Sequence, residues 1–112
     1  NIPEIADAFH GINIKLMKCG GVREGLKMVK MARELELEIM LGCMIESSVA
    51  ITAATHLSPL VDYADLDGHI LISNDPYLGT TVEDGKLTLP DGPGLGVKLR
   101  ERVAEPMEEP VA

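Results

Sequence analysis

Three short apolar runs recur along this chain at a fixed interval, and that rhythm limits what it can fold into more than any other feature. Residues 12–17, "INIKLM", are strand-like, and Gly20 and Gly21 break the run. In the following "VREGLKMVKMARELE", Val22, Leu26, Val29 and Leu35 fall at helical spacing. "EIMLGCMIE" repeats the strand, and "SSVAITAATHLSPL" repeats the helix, with Ser47 and Ser48 as candidate N-caps and Pro59 at its end. "YADLDGH" supplies a third short strand. The strand starts at Ile12, Glu38 and Ala64 are 26 residues apart in both intervals. Equal β-α spacing with short apolar strands predicts parallel strands joined by helical crossovers, in an open doubly wound sheet or in a TIM barrel. Spacing does not choose between the two.

The flanks read differently. "NIPEIADAFHG" suits a helix entered in mid-protein, with Asn1 near the cap and Pro3 in the first turn, and the chain begins without Met, as a piece of something longer would. After residue 70 the rhythm gives way to "ILISNDPYLGTTVEDGKLTLPDGPGLGV", whose Asp-Gly pairs at 84–85 and 91–92 predict a hairpin and turns, a closing flap. "GPGLG" at 92–96 lacks the strand and helix of a phosphate loop and is a turn. The last residues are Glu- and Pro-rich without periodicity, so 99–112 is expected to be a disordered, solvated acidic tail. Aromatic residues make up 3% of the chain against 46% apolar, so the core must come from aliphatic side chains packing helices on strands. A net charge of −8 opposes binding to a phosphate backbone or an anionic membrane surface. Cys19 and Cys43 have neither CxxC spacing nor a Cys/His cluster around them, which suits reduced thiols and a cytoplasmic location. No apolar run approaches the roughly 18 residues of a membrane span.

Active sites of parallel α/β folds lie at the C-terminal ends of strands, so charged residues there are the first candidates for chemistry. Lys15 is late in the first strand, and Asp65 and Asp67, two apart in the third, point to one face. A lysine turned into a barrel interior is partly desolvated and becomes a better base near neutral pH. Strand-end lysines whose stems pack while the ammonium reaches water are commoner, and Asp65/Asp67 equally suit an acidic turn before Gly68. Pattern alone leaves both pairs of alternatives open. Lys18 reads as a surface charge, Glu46 as a helix-capping residue, and His10, His56 and His69 show no metal-ligand spacing.

The wording of the chain narrows the choice. "INIKLMKCGG", "MLGCMIESSVAITAATHL", "DLDG" and "PDGPGLGV" occur in the order seen in dipeptide epimerases of the enolase superfamily, in its muconate-lactonizing subgroup, and the resemblance runs from residue 1 to about 98. It implies an α/β fold, the C-terminal part of a (β/α)7β TIM-like barrel: strands six to eight over residues 1–70, then a segment at 71–98 returning toward a capping domain. Lys15 matches the family's sixth-strand catalytic lysine, which moves a proton on one face of the substrate α-carbon. Asp65 and Asp67 match the Asp-x-Asp that binds the α-ammonium of a dipeptide such as L-Ala-D/L-Glu. Cys43, Met44 and Ile45 match the end of the seventh strand, which borders the substrate.

The family's second-strand Lys-x-Lys and its three acidic Mg²⁺ ligands have no counterpart here. The resemblance therefore implies a Mg²⁺-dependent parent carrying out two-base 1,1-proton transfer, with this chain inactive by itself. The implied partner is a small dipeptide, and the oligomeric state of the full-length protein is open, a homo-oligomer included. A muconate cycloisomerase-like or N-acylamino acid racemase-like relative would share the lysine without needing Asp-x-Asp, and a non-catalytic partial barrel would act by association through its sheet edges.

Overall fold

The computed structural model describes residues 1–101. A short helix, α1 (Ile2–Ile5), has Asn1 at its N-cap position and Pro3 in its first turn. It leads into strand β1 (Gly11–Lys15), a single helical turn α2 (Leu16–Cys19) and helix α3 (Val22–Glu34). Strand β2 (Glu38–Gly42), helix α4 (Ser48–Thr55) and strand β3 (Tyr63–Ala64) follow. β1, β2 and β3 lie side by side in that order, and both pairings are parallel. Ile14 stands beside Leu41, Lys15 beside Gly42 and Leu41 beside Ala64. The strands thus begin close to the positions that the 26-residue rhythm predicts, and the third is the shortest.

Alternation sorts the side chains. Ile14, Ile39 and Leu41 face the helices and are fully buried, packed with Val29 and Ala32 of α3 and Ile51 and Ala54 of α4. Burying an aliphatic side chain of this size stabilises by about 1.5–3 kcal/mol, so this layer holds the sheet to its helices. Of the four α3 residues expected to face the core, only Val29 does. Val22 and Leu26 are 40% and 42% exposed and Leu35 is 36% exposed, while Gly25, Val29 and Ala32 form the inward face. The reason lies in α2. A Cβ on Gly25 would come within 2.9 Å of Leu16 Cδ2, so the helix presents its small residues where the backbone must approach most closely. "INIKLM" is likewise only part strand, because Leu16 already belongs to α2, which closes on Gly20 at φ 102°.

Two carboxylates lock the crossovers. Asp62 Oδ2 accepts bonds from Ile39 N–H and from Arg33 Nη1, both at 2.8 Å, and Arg33 Nη2 donates to the Leu60 carbonyl at 3.1 Å. The Arg33 guanidinium, then the Ile39 N–H, hold the Asp62 carboxyl below its usual range. The second lock is at the start of α4. Ser47 occupies the N-cap without making a side-chain cap bond, and Glu46, expected to cap, stands one residue earlier. The exposed N–H of Ser48 is instead satisfied by Asp75 Oδ2 at 2.9 Å, which also accepts the Ser48 hydroxyl.

Beyond a 3-10 turn at Gly68–Leu71, the predicted hairpin is present as β5 (Thr81–Glu83) and β6 (Lys86–Thr88), antiparallel around Asp84 and Gly85 at φ 49° and 76°. It is framed by a second antiparallel pair, β4 (Tyr77–Leu78) with β7 (Lys98–Leu99), and the Arg100 N–H donates to the Pro76 carbonyl at 2.8 Å. Leu99 and Arg100 are therefore part of this pairing rather than of the expected tail, whose remainder beyond Glu101 lies outside the described residues.

Burial would raise the Asp75 carboxyl, but the hydroxyl and N–H bonds from Ser48 and the Tyr77 N–H outweigh it and hold the group below its ordinary value. Such a carboxylate stabilises the fold above its unfolded pKa and loses that contribution as pH falls through its folded one. Asp75→Ala is expected to lower stability by about 1–3 kcal/mol at pH 7. Urea titrations at a series of pH values should show that deficit shrinking below about pH 4.

Candidate active site

Lys15, Cys43, Met44, Ile45, Asp65 and Asp67 line one cavity of about 290 Å³ at the C-terminal ends of the three parallel strands, with Gly68 and Leu71 completing its wall. Each strand contributes in the same way. Lys15 is the last residue of β1. Cys43, Met44 and Ile45 follow β2 directly, and Asp65 follows β3, its N–H still bonded to the Leu41 carbonyl at 2.9 Å. In β3 and the residues after it, Leu66 is buried toward the helices while Asp65 and Asp67 are exposed on the opposite face. That face is the one Lys15 occupies, since the residues in register with the buried Ile14 and Leu41 alternate with it.

Two glycines make the convergence possible. A Cβ on Gly42 would lie 2.8 Å from Asn13 Oδ1 and 3.2 Å from Lys15 Cε, so the bare backbone of β2 is what lets the lysine stem cross it. A Cβ on Gly68 would lie 2.1 Å from the Met44 carbonyl oxygen and 3.3 Å from Cys43 Sγ, so the loop after β2 rests directly on the turn after Asp67. Neither glycine was a site candidate on pattern. The "DLDG" and "LGC" junctions held the signal, because both place a glycine next to a candidate site residue.

The electrostatics suit a site that awaits a ligand. Lys15 Nζ lies 4.0 Å from Met44 Sδ, and among the described residues no carboxylate is within ion-pair distance of it. Burial raises the Glu46 carboxyl above its ordinary value, and the Lys15 charge opposes that rise. The cavity therefore has an amine at one wall, two carboxylates at another and apolar rims, with Met44 42% and Ile45 68% exposed. Such an arrangement can seat a small zwitterion: an anionic or polarised carbonyl group toward the lysine, and an ammonium toward the aspartates. Among the described residues there is no group of three or more His, Cys, Asp or Glu that could hold a metal ion, so these residues do not fit a Mg²⁺ site.

Residues 5–103 match the family model described as enolase C-terminal domain-like. The L-Ala-D/L-Glu epimerase of Bacteroides thetaiotaomicron is 56% identical over 97 residues, which cover 87% of this chain and 25% of that protein. The hydrophobic dipeptide epimerase of a Flavobacteria bacterium is 45% identical over 101 residues, covering 90% of this chain and 29% of that one. Among solved structures, the dipeptide epimerase of Methylococcus capsulatus complexed with Mg and the dipeptide L-Arg-D-Lys superposes with a TM-score of 0.74 at 39% identity, over 85% of this chain and 30% of that one. The chain thus spans between a quarter and a third of the length of these relatives. The three β/α units are part of a barrel of that type, which decides the alternative that spacing left open.

The two glycines make a ranked expectation. Gly68→Ala collides with backbone and should destabilise by about 1–3 kcal/mol, as overpacking does. Gly42→Ala meets side-chain atoms that can give way and should cost less. Urea midpoints of the two variants measured side by side check the order.

Proposed function

The chain belongs to the enolase C-terminal domain-like family, and from that membership we propose that it is the C-terminal part of a Mg²⁺-dependent dipeptide epimerase. The reaction is a two-base 1,1-proton transfer at the α-carbon of the second residue of a dipeptide such as L-Ala-L-Glu. The observation that carries the reading is the convergence of Lys15 with Asp65 and Asp67 on one cavity. An amine at one wall and paired carboxylates at another match a substrate with an acidic C–H at one end and an ammonium at the other.

In this reading Lys15 takes the α-proton on one face and returns it on that face. An amine without a neighbouring carboxylate is free to cycle between its neutral and charged forms. Asp65 and Asp67 hold the α-ammonium of the N-terminal residue by charge-assisted hydrogen bonds. Cys43, Met44 and Ile45 shape the space beside the backbone and side chain of the substrate and help exclude water. The magnesium ligands, the second base and the capping domain are assigned to parts of the parent outside this chain, and no step above is routed through them. The isolated chain is accordingly inactive. A cytoplasmic location is supported by two free cysteines and by the absence, among the described residues, of any helix long and apolar enough to cross a membrane. The negative net charge supports a small-molecule partner over nucleic acid or an anionic membrane.

The roles separate kinetically in the full-length protein. Lys15→Ala removes a group acting in proton transfer, so kcat should fall about 10²- to 10⁴-fold with a modest change in KM. Asp67→Asn keeps the size and removes a charge, so kcat/KM for a free dipeptide should fall by roughly 1.5–3 kcal/mol. An N-acylated dipeptide has no ammonium and should lose far less. Equal losses on the free and acylated substrates would remove Asp67 from ammonium binding. The isolated 112-residue chain, incubated with L-Ala-L-Glu and Mg²⁺ in deuterated water, should exchange no α-proton.

A further inference from the structure

Asp65 and Asp67 border two cavities. Besides the one shared with Lys15, they line a second of about 280 Å³, whose remaining walls are Ala64, Leu66 and Ile70 together with Val82, Gly85 and Leu87 of the β5–β6 hairpin. Consecutive residues of the 3-10 turn divide the pair, with Ile70 lining the second cavity and Leu71 the first. Val82 and Leu87 stand directly opposite each other in the hairpin and are both half-buried, so the hairpin turns one apolar face toward Ile70. Nothing lies within 4 Å of where a Gly85 Cβ would be, which leaves the cavity open at the hairpin tip. Apart from the two aspartates, no wall side chain of this cavity can hydrogen-bond or carries a charge. A group that enters it must be apolar and attached to something the carboxylates attract.

We infer that this second cavity receives the side chain of the dipeptide's N-terminal residue, and that Val82 and Leu87 set the sizes it accepts. The inference rests on the epimerase reading above and follows from the connectivity of an α-amino acid. The carbon that carries the ammonium has two other heavy branches, its carbonyl and its side chain. With the ammonium at Asp65 and Asp67, the carbonyl branch must run toward Lys15, because the α-carbon that reacts belongs to the next residue. The side chain is left for the other cavity bordered by the same two carboxylates. Each cavity lies near the lower end of the range of about 300–1,000 Å³ typical of small-ligand sites, so one branch of a dipeptide in each is in proportion.

The test compares L-Ala-L-Glu with L-Leu-L-Glu as substrates of the full-length parent and of two hairpin variants. A ratio of kcat/KM values measured on one sample does not depend on how much of that sample is folded. Val82→Phe fills the cavity and should lower the Leu-first to Ala-first ratio at least threefold, and Leu87→Ala enlarges it and should raise the ratio at least threefold. Smaller changes in both variants, or changes in the opposite sense, overturn the assignment while an active parent leaves the epimerase reading standing. A parent that epimerises no dipeptide overturns both.

Discussion

The in-register parallel pairing of β1, β2 and β3 is the interaction on which everything else in this structure depends. With Ile14 beside Leu41 and Leu41 beside Ala64, one face of the sheet is aliphatic and sealed by α3 and α4. The same register puts Lys15 beside Gly42 and brings Asp65 to the end of its strand on the other face. A slip of one residue would exchange the two faces, burying the lysine among aliphatic side chains and exposing Ile14. The desolvation of an unpaired ammonium and the lost apolar burial would oppose that slip together. Core and candidate site are thus two consequences of a single alignment.

That alignment is held from outside the strands by carboxylates that accept main-chain N–H groups. Asp62 joins the start of β2 to the end of α3 through Ile39 and Arg33. Asp75 joins the start of α4 to the segment that leads into β4, through Ser48 and Tyr77. The second of these reaches across 27 residues of sequence, and it fixes the β2–α4 loop that carries Cys43, Met44 and Ile45. The glycines act in the same service. Gly68 lets that loop rest against the turn after Asp67, and Gly42 clears the path of the lysine stem.

What was legible in the sequence is what depends on short-range pattern. The 26-residue interval located the three parallel strands, and Asp84-Gly85 located the hairpin, because periodicity and turn conformation are local properties. The inward face of α3 was misjudged for a physical reason. Counting large apolar residues favours Val22, Leu26 and Leu35, yet the close approach of α2 selects Gly25 and Ala32, and no local pattern reports where two elements will touch. The cap of α4 was misjudged similarly, since Glu46 and Ser47 are adjacent to the helix while Asp75 is remote. Lys15, Asp65 and Asp67 could be nominated from strand ends, and their resemblance to an epimerase motif gave them roles. The second cavity behind the aspartates was not legible, because Val82 and Leu87 meet it only through the tertiary placement of the hairpin.

The central claim is that Lys15 serves one face of the substrate α-carbon while a second base outside this chain serves the other. Solvent deuterium exchange by the full-length Lys15→Ala variant, starting separately from L-Ala-L-Glu and L-Ala-D-Glu, tests it most directly. With one base removed, epimerisation should stop while α-proton exchange without inversion persists for one of the two diastereomers only, because the remaining base reaches a single face. Exchange from both diastereomers, or epimerisation within tenfold of the parent rate, would contradict the account.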